Sequence, residues 1–181
     1  MNLFYGKANC SSCHSGSLLS DQKFHSIGIP QFGPGRTRPF DPYARDVGRM
    51  VETDDLDDMY KFKTPALRNV SLTAPYGHNG AYPTLKSIIK HHLNPIKMNK
   101  NWKPEYANLP KATWLEEIDF VTFSDKREQD RILSSIDIQP IELNDKEIDE
   151  LVSFLESLTG RSGNQRPLGK PDKVPSGLSI D

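Results

Sequence analysis

Near the start of the 181-residue chain, two cysteines and a histidine stand together in GKANCSSCHSG, residues 6–16. Cys10 and Cys13 are its only cysteines, and His14 follows directly. Thiols at this spacing could close a redox disulfide, supply half of a metal site, or anchor a haem. A tetrahedral zinc site would need two further ligands. There is no second cysteine pair, and His14, His25, His78, His91 and His92 do not follow finger spacing. A thioredoxin-like dithiol would want a βαβ setting, and the hydrophobic pattern contains no such alternation. The C-x-x-C-H reading needs nothing else nearby. The two thiols add to the porphyrin vinyl groups, and His14 meets the iron from the same turn.

The rest of the chain must then position a haem and supply, or leave open, the second axial place. At 181 residues there is enough chain for one domain with a real core. Hydrophobic content is 35%, with 14 prolines and 12 glycines, which suggests loops and a core completed by a cofactor. A net charge of −1 gives no electrostatic case for nucleic acid or a membrane surface. No stretch approaches the roughly 18 apolar residues of a membrane span. Residues 1–9 have no apolar h-region, so an export leader is expected to lie outside this sequence.

The elements read as mainly α with long loops. Residues 2–13 can form a short helix carrying Leu3, Phe4 and Ala8, with the haem motif at its end. Residues 15–62 are too rich in Pro and Gly for a long helix and are expected to wrap a cofactor or partner. ETDDLDDMY reads as a solvated turn and helix start, without the spacing of a calcium loop. Residues 84–94 form a helix after the N-cap Thr84, with Leu85, Ile88, Ile89 and His92 on one face. On this reading His92 points inward. His91, sharing the polar side with Thr84 and Ser87, points outward. Trp102 and Trp114 are packing anchors, and short helices are expected around 114–121 and 127–136. The clearest helix is 145–158, capped by Asn144 with Glu147, striped by Ile148, Leu151, Val152, Leu155 and Leu158, and ended by Gly160. No strand is convincing. Residues 1–160 are read as one haem domain and 161–181 as an extended C-terminal tail.

The sixth ligand is open at this point. Met50, Met59, Met98, His25, His78, His91 and His92 are all candidates. Periodicity favours His92, although a lone histidine on an apolar helix face is more often a satisfied core residue. Met98 is the alternative if the helix unwinds early at Asn94–Pro95.

Several stretches together resemble the C-terminal haem domain of bacterial di-haem cytochrome c peroxidases and their MauG-like relatives. These are LFYGKANCSSCHSGSLLSDQKFHSIGIPQFGPG, FKTPALRNVSLTAPYGHNGAYPTLKSIIKHHLNP, LNDKEIDELVSFLESLTG and VPSGL, which span nearly the whole chain in the family's order. The resemblance implies a cytochrome c-like helical domain elaborated by long loops. It implies one covalent haem c on Cys10 and Cys13, with His14 as proximal ligand. The position matching the family's second axial ligand, Met in typical peroxidases and Tyr in MauG-like proteins, is His92 here. That departure implies bis-His, low-spin iron of lower potential than a His/Met site. His78, in YGHNG, matches a histidine beside the haem. Thr73 and Pro75 match backbone carbonyls that hold a Ca2+ between domains. Arg49 and Arg68 are candidates to pair with haem propionates.

The di-haem family also carries an N-terminal domain with its own CxxCH, which binds peroxide. Here a single CxxCH is present, and what matches is the electron-accepting half. The expected role is therefore electron transfer beside a second haem domain or chain and a redox partner protein. The alternatives are a stand-alone monohaem carrier, or a peroxidase if His92 dissociates. Thioether attachment takes place outside the bacterial cytoplasm, so a periplasmic location is expected.

Overall fold

A computed structural model describes residues 1–33, 45–109 and 118–160. The chain folds mainly into helices joined by long loops: α1 (Asn2–Tyr5), α2 (Met50–Thr53), α3 (Leu85–Leu93), α4 (Pro95–Lys100), α5 (Val121–Ser124), α6 (Lys126–Ser134) and α7 (Asp145–Ser157). Two two-residue strands, β1 (Phe24–His25) and β2 (Phe62–Lys63), pair antiparallel, with Phe24 opposite Lys63 and His25 opposite Phe62. The sequence reading contained no strand, because two residues are too few to show an alternation.

The helix expected over 2–13 is broken. α1 stops at Tyr5, and a separate 3-10 turn covers Cys10–Ser12. Asn9, at φ 51°, makes the left-handed bend between them, a conformation that asparagine tolerates. Both helix caps behave as anticipated. The Thr84 hydroxyl accepts from the Ser87 amide, and the Asn144 amide oxygen accepts from the Glu147 amide. Each is returned by the N3 side chain to the cap's own N–H, which completes a capping box. α7 ends at Ser157 rather than at Gly160, whose amide instead donates to Asn69. The helix expected near 127–136 runs Lys126–Ser134. Of the 114–121 helix, only its end is described, where α5 begins at Val121. Trp114 and the 161–181 tail lie outside the described residues.

Two core clusters meet at α3. The first joins Phe4, Ala8, Leu67, Leu85, Leu151 and Leu155, so α1 and α7 close over one side of α3. The second joins Ile29, Phe32, Ala81, Tyr82 and Trp102. Ile88 packs against both. Trp102 stacks on Phe32, with centroids 5.2 Å apart and planes 9° from parallel, and its indole N–H donates to the Ala81 carbonyl at 2.8 Å. It is the anchor its composition suggested.

A third cluster, of Val47, Tyr60 and Ile132, surrounds a buried carboxylate. Glu128 is 3% exposed and accepts from the Tyr60 hydroxyl and from Arg45. Burial, together with this carboxylate, raises the Tyr60 pKa. Arg131, three residues along α6, adds a 3.3 Å ion pair. Charge is thus matched where water is excluded.

Candidate haem site

Cys10 and Cys13 emerge at the 3-10 turn, half-buried and not joined to each other. Burial pushes the Cys10 thiol up to about 11 and raises Cys13 as well. Reactive dithiols need the opposite, a thiolate favoured near neutral pH. These upward shifts do not favour a reactive dithiol.

His14 follows with its ring oriented by the next loop. Its Nδ1 lies 3.0 Å from the Leu19 carbonyl. A carbonyl only accepts, so Nδ1 carries the proton and Nε2 keeps its lone pair. Burial lowers the pKa of His14, with the Leu19 contact working against it. His92, the last residue but one of α3, repeats the arrangement. Its Nδ1 donates to the Ile88 carbonyl at 2.9 Å, again leaving Nε2 as the free donor atom. Burial also lowers the pKa of His92; the Ile88 hydrogen bond works against this, and a protonated His14 would add a smaller lowering. Two imidazoles that each hold the Nδ1–H tautomer, and so present Nε2 as a donor atom, are what two ligands of one iron would require. These residues fit a haem held by Cys10 and Cys13.

His91 does not point outward. It is 0% exposed. Its Nε2 donates to the Ile27 carbonyl at 2.6 Å, and its Nδ1 accepts from the Tyr82 hydroxyl at 2.7 Å. Burial holds its pKa down to about 3. The helix wheel misassigned it because α3 is covered on two sides. The side that carries polar residues at the N-terminal turn is roofed by the Ile27 loop and Tyr82 further along. Met98, the alternative ligand, lies half-buried against the second core cluster.

His78 sits in the turn closed by the Tyr76–Tyr82 bridge, and its ring stacks on Phe62 at 3.6 Å with planes 8° apart. The residue keeps solvent-accessible surface, yet burial among surrounding protein lowers its pKa to about 4. Phe62 of β2 pairs with His25 of β1, and the Arg49 guanidinium lies 4.5 Å over the ring of Phe24. Arg49 also pairs with Asp58 at 3.1 Å, so a carboxylate of its own chain already engages it. Arg68, Thr73 and Pro75 are exposed, and the Thr73 hydroxyl donates to the Val70 carbonyl.

One grouping was not read from the sequence. Cys13 Sγ, an Asp21 carboxylate oxygen and a His25 ring nitrogen lie within 4.8 Å of one another. Asp21 is bonded to His25 Nε2 at 2.9 Å. Burial opposes the Asp21 charge, but hydrogen bonds from His25, the Lys23 amide and Thr64 outweigh it and hold the pKa at about 2. On the far side of the imidazole, Asp137 lies 3.8 Å from His25 Nδ1. The i, i+4 spacing of Asp21 and His25 was the only sequence trace of this cluster.

No family model matches the chain. It is 38% identical over 106 residues to the cytochrome-c peroxidase IdrP1 of Denitromonas iodatirespirans, covering 48% of this chain and 28% of that protein. To the methylamine utilization protein MauG of Methylophilus methylotrophus it is 32% identical over 117 residues, covering 65% and 31%. The crystal structure of a MauG-like protein associated with microbial copper homeostasis superposes with a TM-score of 0.57 at 26% identity, over 92% of this chain and 47% of that one. The chain thus spans less than a third of the length of these curated relatives. In sequence and in fold, over the part it shares with them, the chain is similar to the cytochrome c peroxidases and MauG-like proteins.

Proposed function

We propose that this chain is the electron-transfer haem domain of a di-haem peroxidase-like protein, holding one haem c through Cys10 and Cys13 with His14 and His92 as axial ligands. The observation that carries this reading is the matched pair of histidines. Each gives Nδ1 to a backbone carbonyl, which leaves Nε2 as the unprotonated nitrogen. A haem bound there supplies a one-electron couple. The chain's part is to hold both imidazoles in one tautomer. Leu19 and Ile88 fix the rings, so the coordinating atoms need not move when the charge changes. With His14 and His92 both holding the iron, peroxide would have no position unless His92 departed. This favours electron transfer over peroxide chemistry in this segment.

His78 would stand beside the haem, and Thr73 and Pro75 would offer carbonyls to a Ca2+ shared with a second haem domain or chain. Arg68 remains a candidate for a propionate, and Arg49 would need to share itself with Asp58. The enclosing protein would be periplasmic, and residues 161–181 would form a tail beyond the domain. A second reading follows from the Cys13–Asp21–His25 cluster, which could hold a divalent ion if Cys13 were not alkylated.

The test is the absorption and EPR spectrum of the purified protein beside His92→Met, with the intact mass. A low-spin bis-imidazole signal, a covalent haem in the mass and a changed axial signature in His92→Met are expected. A high-spin wild type, or a variant spectrum identical to it, overturns the assignment of His92. An intact mass without haem, carrying one divalent ion per chain, supports the second reading instead.

A further inference from the structure

The segment that follows His92 carries a cluster of exposed lysines. At 100° per residue, α4 divides cleanly. Pro95, Met98 and Asn99 lie on one side and are buried or half-buried, while Ile96, Lys97 and Lys100 lie on the other and are exposed. Ile96 is 42% exposed, a large apolar side chain left beside two lysines. The surface continues past the helix with Lys103 and with Tyr106, which is 47% exposed and meets the buried Trp102 edge-on at 6.4 Å. Among the described residues, no carboxylate pairs with Lys97, Lys100 or Lys103. By contrast, Lys86 and Lys90 on the neighbouring α3 are bound to Asp149 and Asp145 of α7. Glu105 is the acidic residue on the adjoining turn. From Met59 to Pro104 the sequence contains no Asp or Glu at all, although the whole chain carries a net charge of only −1. The lysine charge is therefore concentrated on the part of the chain that bears His92.

We infer that this face is the docking site of an acidic one-electron carrier protein, its apolar centre formed by Ile96 and Tyr106 and its rim by Lys97, Lys100 and Lys103. The inference rests on the electron-transfer reading above and names the class of partner for it. Three features favour this occupant. Lysines that no carboxylate among the described residues pairs, beside a small apolar patch, attract a partner of opposite charge and orient it, while burying little area, as transient redox encounters do. The patch is rigid beneath, because Met98 and Tyr106 rest on the Trp102 core. It also follows His92 directly in the chain: α4 begins three residues after that histidine. The partner's charge must be negative, since a lysine-rich protein would be repelled from the same rim.

The experiment measures binding to the purified holoprotein of two probes, an acidic [2Fe–2S] ferredoxin and a lysine-rich cytochrome c, at low and high salt. The variants are Lys97→Glu/Lys100→Glu and, as a control changing net charge equally, Lys126→Glu/Lys146→Glu, both of whose sites are exposed and lie on other elements. The wild type should prefer the acidic ferredoxin. The α4 variant should weaken that binding about tenfold or more at ~20 mM ionic strength, an effect fading at ~500 mM, while the control variant changes it less than about twofold. Equal loss in both variants reduces the effect to net charge and overturns the docking site. So does an α4 variant that binds normally, or a wild type that prefers the cytochrome. Binding is read without any haem signal, and the spectrum of the same sample reports the axial ligands. Failure of the docking site and failure of the bis-His reading are therefore separate results.

Discussion

His14 and His92 lie 78 positions apart in sequence and are held in the same way: each places Nδ1 on a backbone carbonyl, at 3.0 and 2.9 Å, and leaves Nε2 without a proton. One carbonyl lies five residues ahead of its histidine in a loop, and the other lies one helical turn behind. Two unrelated pieces of backbone reach the same chemical result, which selects the tautomer a metal can use.

If His92 is the sixth ligand, removing its ring should create a vacancy that a free imidazole can fill. His92→Gly is expected to be high-spin or to take up an exogenous ligand, and millimolar imidazole should restore the low-spin EPR signal. A variant that stays low-spin without imidazole would assign the sixth position to another residue.

His91 links acidity to stability. Its folded pKa, about 3, lies below the ordinary value of about 6.5, so the unfolded chain takes up this proton first. The stability it contributes is full above pH ~6.5 and declines as pH falls toward 3. By pH 4.5 the loss approaches roughly 2–3 kcal/mol. His91→Gln should be less stable than wild type in urea at pH 7, and its deficit should shrink at pH 4.5. A deficit unchanged with pH would remove His91 from this role.

Trp102 fills the second core and makes its own hydrogen bond to Ala81. Trp102→Ala should cost about 3–5 kcal/mol in chemical denaturation. Trp102→Phe should recover most of this, leaving the Ala81 carbonyl unpaired at about 1–2 kcal/mol. Equal costs for the two would mean that packing contributes little there.

Gly48 has φ +62°, and a Cβ built on it would stand 2.5 Å from the Lys61 carbonyl oxygen. That carbonyl already accepts from the Arg49 amide, so it is not free to move away. Gly48→Ala should lower stability by roughly 2–4 kcal/mol through backbone strain and overlap. A melting temperature within 1–2 °C of wild type, in the range of a neutral surface change, would show that the backbone yields at this point.

The parts legible in the sequence are those encoded over short spans. CSSCH is contiguous, the two capping boxes need four residues each, and the α7 stripe repeats within one helix. Trp102 was recognisable because a large aromatic has few places to go in a chain with this little apolar content. What escaped was set by contacts distant in sequence. His91 was misplaced because its cover, Ile27, is 64 residues away. The ladder of β1 and β2 is two residues long and carries no period. Glu128 is charged and reads as surface, but its burial depends on Arg45 and Tyr60 arriving from a different part of the chain. The Asp21–His25–Cys13 cluster was hidden for a related reason: the loop after His14 folds back so that the Asp21 amide donates to the Cys13 carbonyl at 2.7 Å.

The adjacent imidazoles on α3 also bear on how the helix tolerates error. Because positions 91 and 92 hold the same residue type, turning the helix by one residue would still offer an imidazole toward His14. Chemistry alone does not choose between the two orientations. The choice is made by the Thr84–Ser87 box at one end and by the Tyr82 and Ile27 contacts to His91 at the other. His91 thus acts as the indexing pin of the helix: it fixes the rotational setting in which its neighbour, and not itself, would face the proposed haem.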